Sequence, residues 1–444
     1  MSSLLAGLAP IEAFPTVDEM TAFTARLAVE HPDRVAVREI GRSRQGQAIE
    51  LLSITTPGAT GSALVIGQPH PNEPIGMATV VALCERLLAD PEALAATGSD
   101  WHFVPVADPD GTRLNEGWFA GPFTREHYAR HFYRPESHQQ VEWTFPFSTE
   151  GFATGEPMPE TRALMAAIDL VKPTSLASLH NGEMGGGYYY ATAGAPASYY
   201  EGLGQLCTDH GIPLHLGDPE TPFSEVLGPA VFTVPTAQQI HDFLVAVGGD
   251  PADMVSGSSS AEYAAQVNPD VFGLAVELPY WRDPRSDDTS PDPSGRSLTE
   301  VVVRGLDLQD DMAVRLRALL VAAKPAPSPY LDAVAAFTSQ DDYTEVQRQG
   351  ALADPDGGRP ATVAEVFSVM DNVHMFRLRL GGMLLRALDA ASPVLAEAED
   401  LFASWCAEAA ADDRSETIPI ADLVAVQGGA ILATVEHVLR SSSA

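Results

Sequence analysis

The sequence predicts an α/β fold: a mixed, doubly wound central sheet with helices on both faces, followed by an α-helical C-terminal region. Three observations carry this expectation. Short apolar runs bounded by turn residues, such as Ala63-Leu64-Val65-Ile66, alternate with stretches of helical periodicity as far as residue 323. Histidines and carboxylates follow the carboxyl ends of those runs, where open α/β sheets place their ligands. Beyond the proline-rich corner KPAPSPY, residues 324–330, the apolar spacing is helical almost throughout. The expected division is therefore 1–323 for the α/β unit and 324–444 for a helical domain or cap.

Taken in order, residues 17–31 (VDEMTAFTARLAVEH) carry an amphipathic helical pattern. Residues 35–40 and 49–54 alternate as strands across the turn-rich GRSRQGQA, a hairpin signal. The run 63–66 reads as a buried strand, and residues 75–88 after Pro74 read as a helix. A strand over 101–106 closes at Asp108-Pro109-Asp110-Gly111; a helix over 160–170 precedes a strand over 176–179. Residues 199–210 form a helical pattern, and 272–278 (FGLAVEL) a further strand. After the loop RDPRSDDTSPDPSGRS come helical patterns over 298–323, 330–350, 362–389, 391–411 and 419–440. The stretch 217–250 is expected to wall in whatever lies above the sheet.

Composition bounds the function classes. The net charge is −34, with only two lysines, Lys172 and Lys324. Such a surface repels phosphate backbones and anionic lipid, so nucleic-acid and membrane-surface roles are excluded as expectations. No apolar run reaches the roughly 18 residues that a membrane span needs. Cys84, Cys207 and Cys406 are too widely spaced for a zinc knuckle and read as reduced core thiols. The start MSSLLAGLAPIEAFP lacks a basic leader pattern, and the expectation is a cytoplasmic protein of bacterial composition.

The segment Pro69-His70-Pro71-Asn72-Glu73-Pro74 joins a strand to a helix and fences a histidine and a glutamate with three prolines. Stiff backbone lets both side chains converge at little entropic cost, and the helix N-terminus favours the carboxylate. A lone His-x-x-Glu carries little weight, since the chain holds a second at His180-Asn181-Gly182-Glu183. His180, however, ends its own strand. Two strand ends can present His70, Glu73 and His180 to one point, and two imidazoles with one carboxylate are the ligand set of catalytic zinc. Glu183 is the local alternative partner for His180. Glu277 ends an otherwise apolar strand, where a carboxylate must be paired, metal-linked or catalytic. It is the candidate general base.

Over residues 12–320 the chain resembles the zinc carboxypeptidase family, the carboxypeptidase A group. The entry FPTVDEMTAFTARLAVEHPDRVAVREIGRSRQGQAIELLSI, His70-x-x-Glu73, Asp108-Pro109-Asp110-Gly111, PETRALMAAIDLVKPTSLASLHN and AVEL carry the resemblance in order. The resemblance implies bound zinc on His70, Glu73 and His180, with Glu277 as general base and residues 1–323 as the catalytic domain. It further implies that Arg130, in HYARHFYRP, grips a substrate carboxylate, with Ala129 where the family has asparagine. Arg113 is the candidate to polarise the scissile carbonyl. Met254 falls at the family's mobile tyrosine, for which Tyr263, Tyr280 or one of Tyr188 to Tyr190 are substitutes. Ala261 falls at the base of the side-chain pocket. The implied activity is a carboxypeptidase-like exopeptidase acting on a small peptide. The alternative is an aspartoacylase-like deacylase of N-acyl amino acids.

Overall fold

A computed structural model describes residues 2–5, 7–217, 224–339 and 341–441. Among these residues, nine strands form the central sheet: β1 (Val35–Arg42), β2 (Ala48–Ile54), β3 (Gly61–Ile66), β4 (Ser99–Val104), β5 (Ser175–His180), β6 (Tyr188–Ala191), β7 (Val226–Gly228), β8 (Val231–Thr233) and β9 (Phe272–Glu277). Their order is β1-β2-β4-β3-β5-β9-β6-β8-β7. The four central strands β4, β3, β5 and β9 run parallel, while β1, β2 and β6 pair antiparallel. The mixed, doubly wound sheet of the sequence reading is what the chain builds.

Parallel pairing has a direct consequence. The carboxyl ends of β3, β5 and β9 open on one edge, and the register sets Glu277 directly opposite His180. The strands are buried on both faces, as parallel strands under two helical layers must be. Along β3, Leu64 and Ile66 pack in one core with Leu164 and Ile168 of the helix Pro159–Val171. Ala63 and Val65 face the other core, which includes Leu83 and Leu87 of the helix Ile75–Ala89. The close approach of that helix to β3 depends on one residue: a Cβ on Gly76 would lie 1.6 Å from the Gly67 carbonyl oxygen.

The C-terminal helices join this fold intimately. Val424, Ile431 and Val435 of the helix Ile420–Ser441 belong to the same core as Val65 and Leu83. That helix is long and apolar enough to cross a membrane by length and composition, but 67% of the relevant window is buried here. The strand pair Trp281–Arg282 and Glu416–Thr417 ties the tail to the α/β part a second time. The helix Val363–Ala387 lies against Arg125–His131 so closely that a Cβ on Gly382 would meet the Ala129 carbonyl oxygen at 1.9 Å. Of the stretch 217–250, residues 218–223 lie outside the described residues. The remainder supplies β7, β8 and the helix Ala237–Val247, and Val234 and Pro235 line the cavity above the sheet.

Candidate metal centre and active site

The loop after β3 is built to aim two side chains. Glu73 donates its backbone N–H to the His70 carbonyl at 3.1 Å, closing a turn between the prolines. Ile75, the first residue of the helix, donates its N–H to Asn181 Oδ1 at 3.2 Å. The Tyr280 hydroxyl donates to the Asn72 carbonyl at 2.7 Å. The residue next to His180 thus binds the start of the helix that follows Glu73, which fixes the two strand ends against each other.

These constraints bring His70 Nδ1, Glu73 Oε2 and His180 Nδ1 together, all three residues being buried. The separations are 3.0 Å from His70 to Glu73, 3.1 Å from His180 to Glu73 and 3.2 Å between the imidazoles. Ligand atoms about 2.0–2.2 Å from a tetrahedral zinc stand roughly 3.3–3.6 Å apart, within a few tenths of this triangle. Two imidazole nitrogens and a carboxylate oxygen facing one centre cannot all be satisfied by the protons they hold. A divalent cation at that centre satisfies all three, so the residues fit zinc. The second contacts agree with this: His180 Nε2 lies 2.9 Å from Ser178 Oγ, and the His180 carbonyl accepts from Gln427 at 3.1 Å.

The protons of the cluster are divided unequally. Burial, assisted by the neighbouring Arg134, pushes His70 down to about 3. Burial acts on His180 in the same direction, but Glu277 and Glu73 outweigh it and hold that imidazole at about 9. Glu73 stays well below the carboxylate range; burial opposes this, and His70 and Arg134 overcome it. Glu277 stands at the rim, with Oε1 3.8 Å from His180 Nδ1.

A cavity of about 650 Å³ opens above the cluster. Glu277 and Ala261 line it, as do Tyr188 and Tyr190. Three expected residues are elsewhere. Arg113 ends the short helix Pro109–Arg113 and turns outward to Asp18 at 2.6 Å and Gln47 at 3.0 Å. Arg130 lies on the outer face of its helix, paired with Glu126 at 3.1 Å and stacked over Phe402. Neither reaches the cavity, so neither can polarise a carbonyl or grip a carboxylate there. Met254 packs against a separate small core of Ala237, Leu244 and Val255. Among the other tyrosines, Tyr280 is committed to the Asn72 carbonyl and Tyr263 to Asp169.

Arg134 is the arginine that the sequence reading missed, four positions beyond the one it chose. The helix ends at His131, and the extended segment before Pro135 carries Arg134 back to the metal cluster. Its Nη1 donates to Glu73 Oε1 at 2.6 Å, and its Nε and Nη2 donate to Gln140 Oε1 at 3.2 and 3.0 Å. The helix-ending pattern before a proline was the available signal. Glu183 does not join the metal cluster. It is buried between Arg125 at 3.2 Å and Arg379 at 2.8 Å.

Comparison with known proteins agrees with this geometry. Residues 20–212, which include all three cluster residues, match the family model described as zinc carboxypeptidase. Zinc carboxypeptidase A 1 of Anopheles gambiae is 30% identical over 146 residues, which are 31% of this chain and 32% of that protein. A zinc carboxypeptidase of Simulium vittatum is 29% identical over 101 residues, 22% of this chain and 33% of that one. The chain thus spans about a third of the length of these relatives. Among solved structures, carboxypeptidase A from Helicoverpa armigera superposes with a TM-score of 0.40 at 17% identity, covering 61% of this chain and 66% of that one. That superposition is too loose to bear on the site. In its sequence from residue 20 to residue 212, the chain is zinc carboxypeptidase-like.

Proposed function

We propose that the protein is a zinc-dependent hydrolase that cleaves a peptide or amide bond near the end of a small substrate. The observation that supports this best is the convergence of His70, Glu73 and His180, with Glu277 opposite His180 in the sheet register. Zinc held there supplies a Lewis acid and lowers the pKa of water. The chain's own residues account for the rest. Glu277, at the mouth of the cluster, takes a proton from the attacking water and returns it to the leaving amine. Arg134 supplies a fixed cationic donor for the negative charge that grows on the carbonyl oxygen. The cavity size suits a short peptide, since sites for small molecules run about 300–1,000 Å³.

The deacylase alternative gains nothing from the cavity. An N-acyl amino acid also ends in a carboxylate, and Arg130 is not there to receive it. The test is a panel of short peptides and N-acyl amino acids offered to the zinc-loaded protein, alongside Glu277→Gln. The variant should keep its zinc and its fold while losing turnover by about 10²–10⁴, the range for a positioned general base. Near-normal turnover in that variant removes Glu277 from the role.

A further inference from the structure

The helix Val363–Ala387 turns one face to the metal cavity from Phe367 to Met383. Phe367, Asp371, Met375, Arg379 and Met383, each four positions after the last, all line it. At about 1.5 Å per residue that face runs for roughly 24 Å. A single amino-acid side chain fills only a fraction of such a length. The loop after β5 faces the same space: His180 to Met184 line the cavity, and a Cβ on Gly185 would lie 3.1 Å from the Phe367 ring. The cavity is therefore a trough that begins at the metal ligands and continues between C-terminal helices.

Three helices beyond residue 297 give that continuation an apolar lining. Val302 and Leu306 come from Leu298–Ala323, Phe337 from Pro329–Phe337, and Val369, Met375 and Phe376 from Val363–Ala387. The Phe337 and Phe376 rings pack at 6.4 Å. The first and third helices meet where Val369 takes the space beside Gly305, 2.5 Å from where a Cβ would stand. The charged side chains on this part of the wall are already paired: Asp310 with Arg348, Asp371 with Arg125, and Arg379 with Glu183. Gln309, Gln347 and Asn372 share the wall, and the last two are exposed and mark where the trough meets solvent. A peptide laid along these apolar side chains would bring an N–H and a C=O about every 3.4 Å, each costly to bury unpaired. An unbranched acyl chain brings neither, and the flexible Met375 side chain can adapt to it.

Building on the hydrolase reading above, we infer that the substrate carries an unbranched apolar acyl chain on the amino side of the scissile bond, and that this trough is the subsite that holds it. The amino side follows from the other wall of the cavity. Ala261, where the family resemblance places the leaving residue's side chain, lies on the sheet side, 3.5 Å from where a Cβ on Gly273 of β9 would stand. The leaving residue takes the sheet side, and the acylated half is left with the helices. All six apolar residues of the subsite fall outside residues 20–212, the part of the chain that matches the family model.

Two measurements on the zinc-loaded full chain test this. The first follows kcat/KM for glycyl-alanine carrying an N-acetyl, N-butanoyl, N-hexanoyl or N-octanoyl group. The second titrates N-butanoylglycinamide and N-octanoylglycinamide calorimetrically, and needs no turnover. A fully buried methylene corresponds to about fourfold and a half-buried one to about twofold, so kcat/KM should climb about two- to fourfold per methylene until the trough is filled. The octanoyl-to-butanoyl ratio should fall toward unity in Val302→Trp, which fills the trough, and should fall in part in Met375→Gln. If Val302→Trp does not fold, Met375→Gln decides. A flat chain-length series in the parent protein overturns the proposal, whether or not the variants fold. A ratio unchanged in the folded variants also overturns it, and places the chain on another wall. If no dipeptide is cleaved, the hydrolase reading fails, while chain-length-dependent binding that is lost in the variants still upholds the subsite. Absence of such binding overturns it.

Discussion

Replacing Gly76 by alanine sets two effects of opposite sign against each other. Alanine exceeds glycine in helix propensity by about 1 kcal/mol, so position 76, inside Ile75–Ala89, should gain stability on that ground alone. The geometry says otherwise. The new Cβ would lie 1.6 Å from the Gly67 carbonyl oxygen, and 2.8 Å from Leu179 Cβ. The first of these is backbone and cannot rotate away, so the helix must move off the strand. Forcing one extra carbon into a packed core costs about 1–3 kcal/mol, and a backbone collision belongs at or above the upper end. The net expectation is a loss of about 2 kcal/mol in urea unfolding. Because Glu73 lies in the loop that leads into that helix and Leu179 precedes His180, zinc affinity measured by calorimetry should fall with it. Gly350 is the control: it is exposed, and a Cβ there meets nothing within 4 Å. Gly350→Ala should gain about 0.4–1 kcal/mol and keep zinc affinity unchanged. A Gly76→Ala protein as stable as its parent, with unaltered zinc affinity, would refute the claim that this contact positions the metal ligands.

Other expectations are as direct. His180→Ala should lose its zinc by elemental analysis, whereas Glu183→Gln should retain it and lose about 3–5 kcal/mol of stability by uncovering buried Arg125 and Arg379; the reverse pattern moves the third ligand to Glu183. Arg134→Ala should lower kcat by about 10²–10³, the effect of removing one oxyanion donor. Arg130→Ala removes an exposed pair worth about 0.3–0.5 kcal/mol and a stacking contact over Phe402, both outside the cavity, and should leave kcat/KM within about twofold, so a larger loss in Arg130→Ala than in Arg134→Ala defeats the assignment. Burial raises buried Asp108 from 3.8 to about 6, so its protonation favours folding below about pH 4 and that contribution is lost as the pH rises through 6. A shift of about 2 units is roughly 3 kcal/mol, so Asp108→Asn should gain that much on its parent between pH 4 and pH 7. A stability difference that stays constant with pH contradicts this.

The sequence was most legible where the determinants were local. His70 and Glu73 sit three apart between prolines, and His180 and Glu277 end apolar runs, so strand ends and metal cluster could be read together. Arg134 was one turn beyond legibility, because choosing it over Arg130 required knowing where a short helix stops. The burial of Glu142, a carboxylate on the cavity wall that accepts from Ser260, was hidden for a different reason. That burial and the bonded oxygen depend on Ser260, 118 residues away, and nothing in VEWTFP signals that contact. The tail was read as a helical domain or cap from its periodicity, but periodicity says only that one face is apolar. It does not say that the face of Ile420–Ser441 will lie against the sheet. The glycines at 76 and 382 bear on the same point, since close packing is decided by which partner arrives.

The hydrogen bond from Gln427 to the His180 carbonyl spans 247 residues, and Gln427 also accepts one from Thr79 of the helix behind Glu73. A ribosome that has reached residue 300 has already made His70, Glu73, His180 and Glu277. The strand end bearing the third ligand nevertheless lacks one of its contacts until residue 427 has emerged and docked. The last of the contacts around the metal ligands therefore forms late in the life of the nascent chain. The segment most remote in sequence from the chemistry acts as the clock for it.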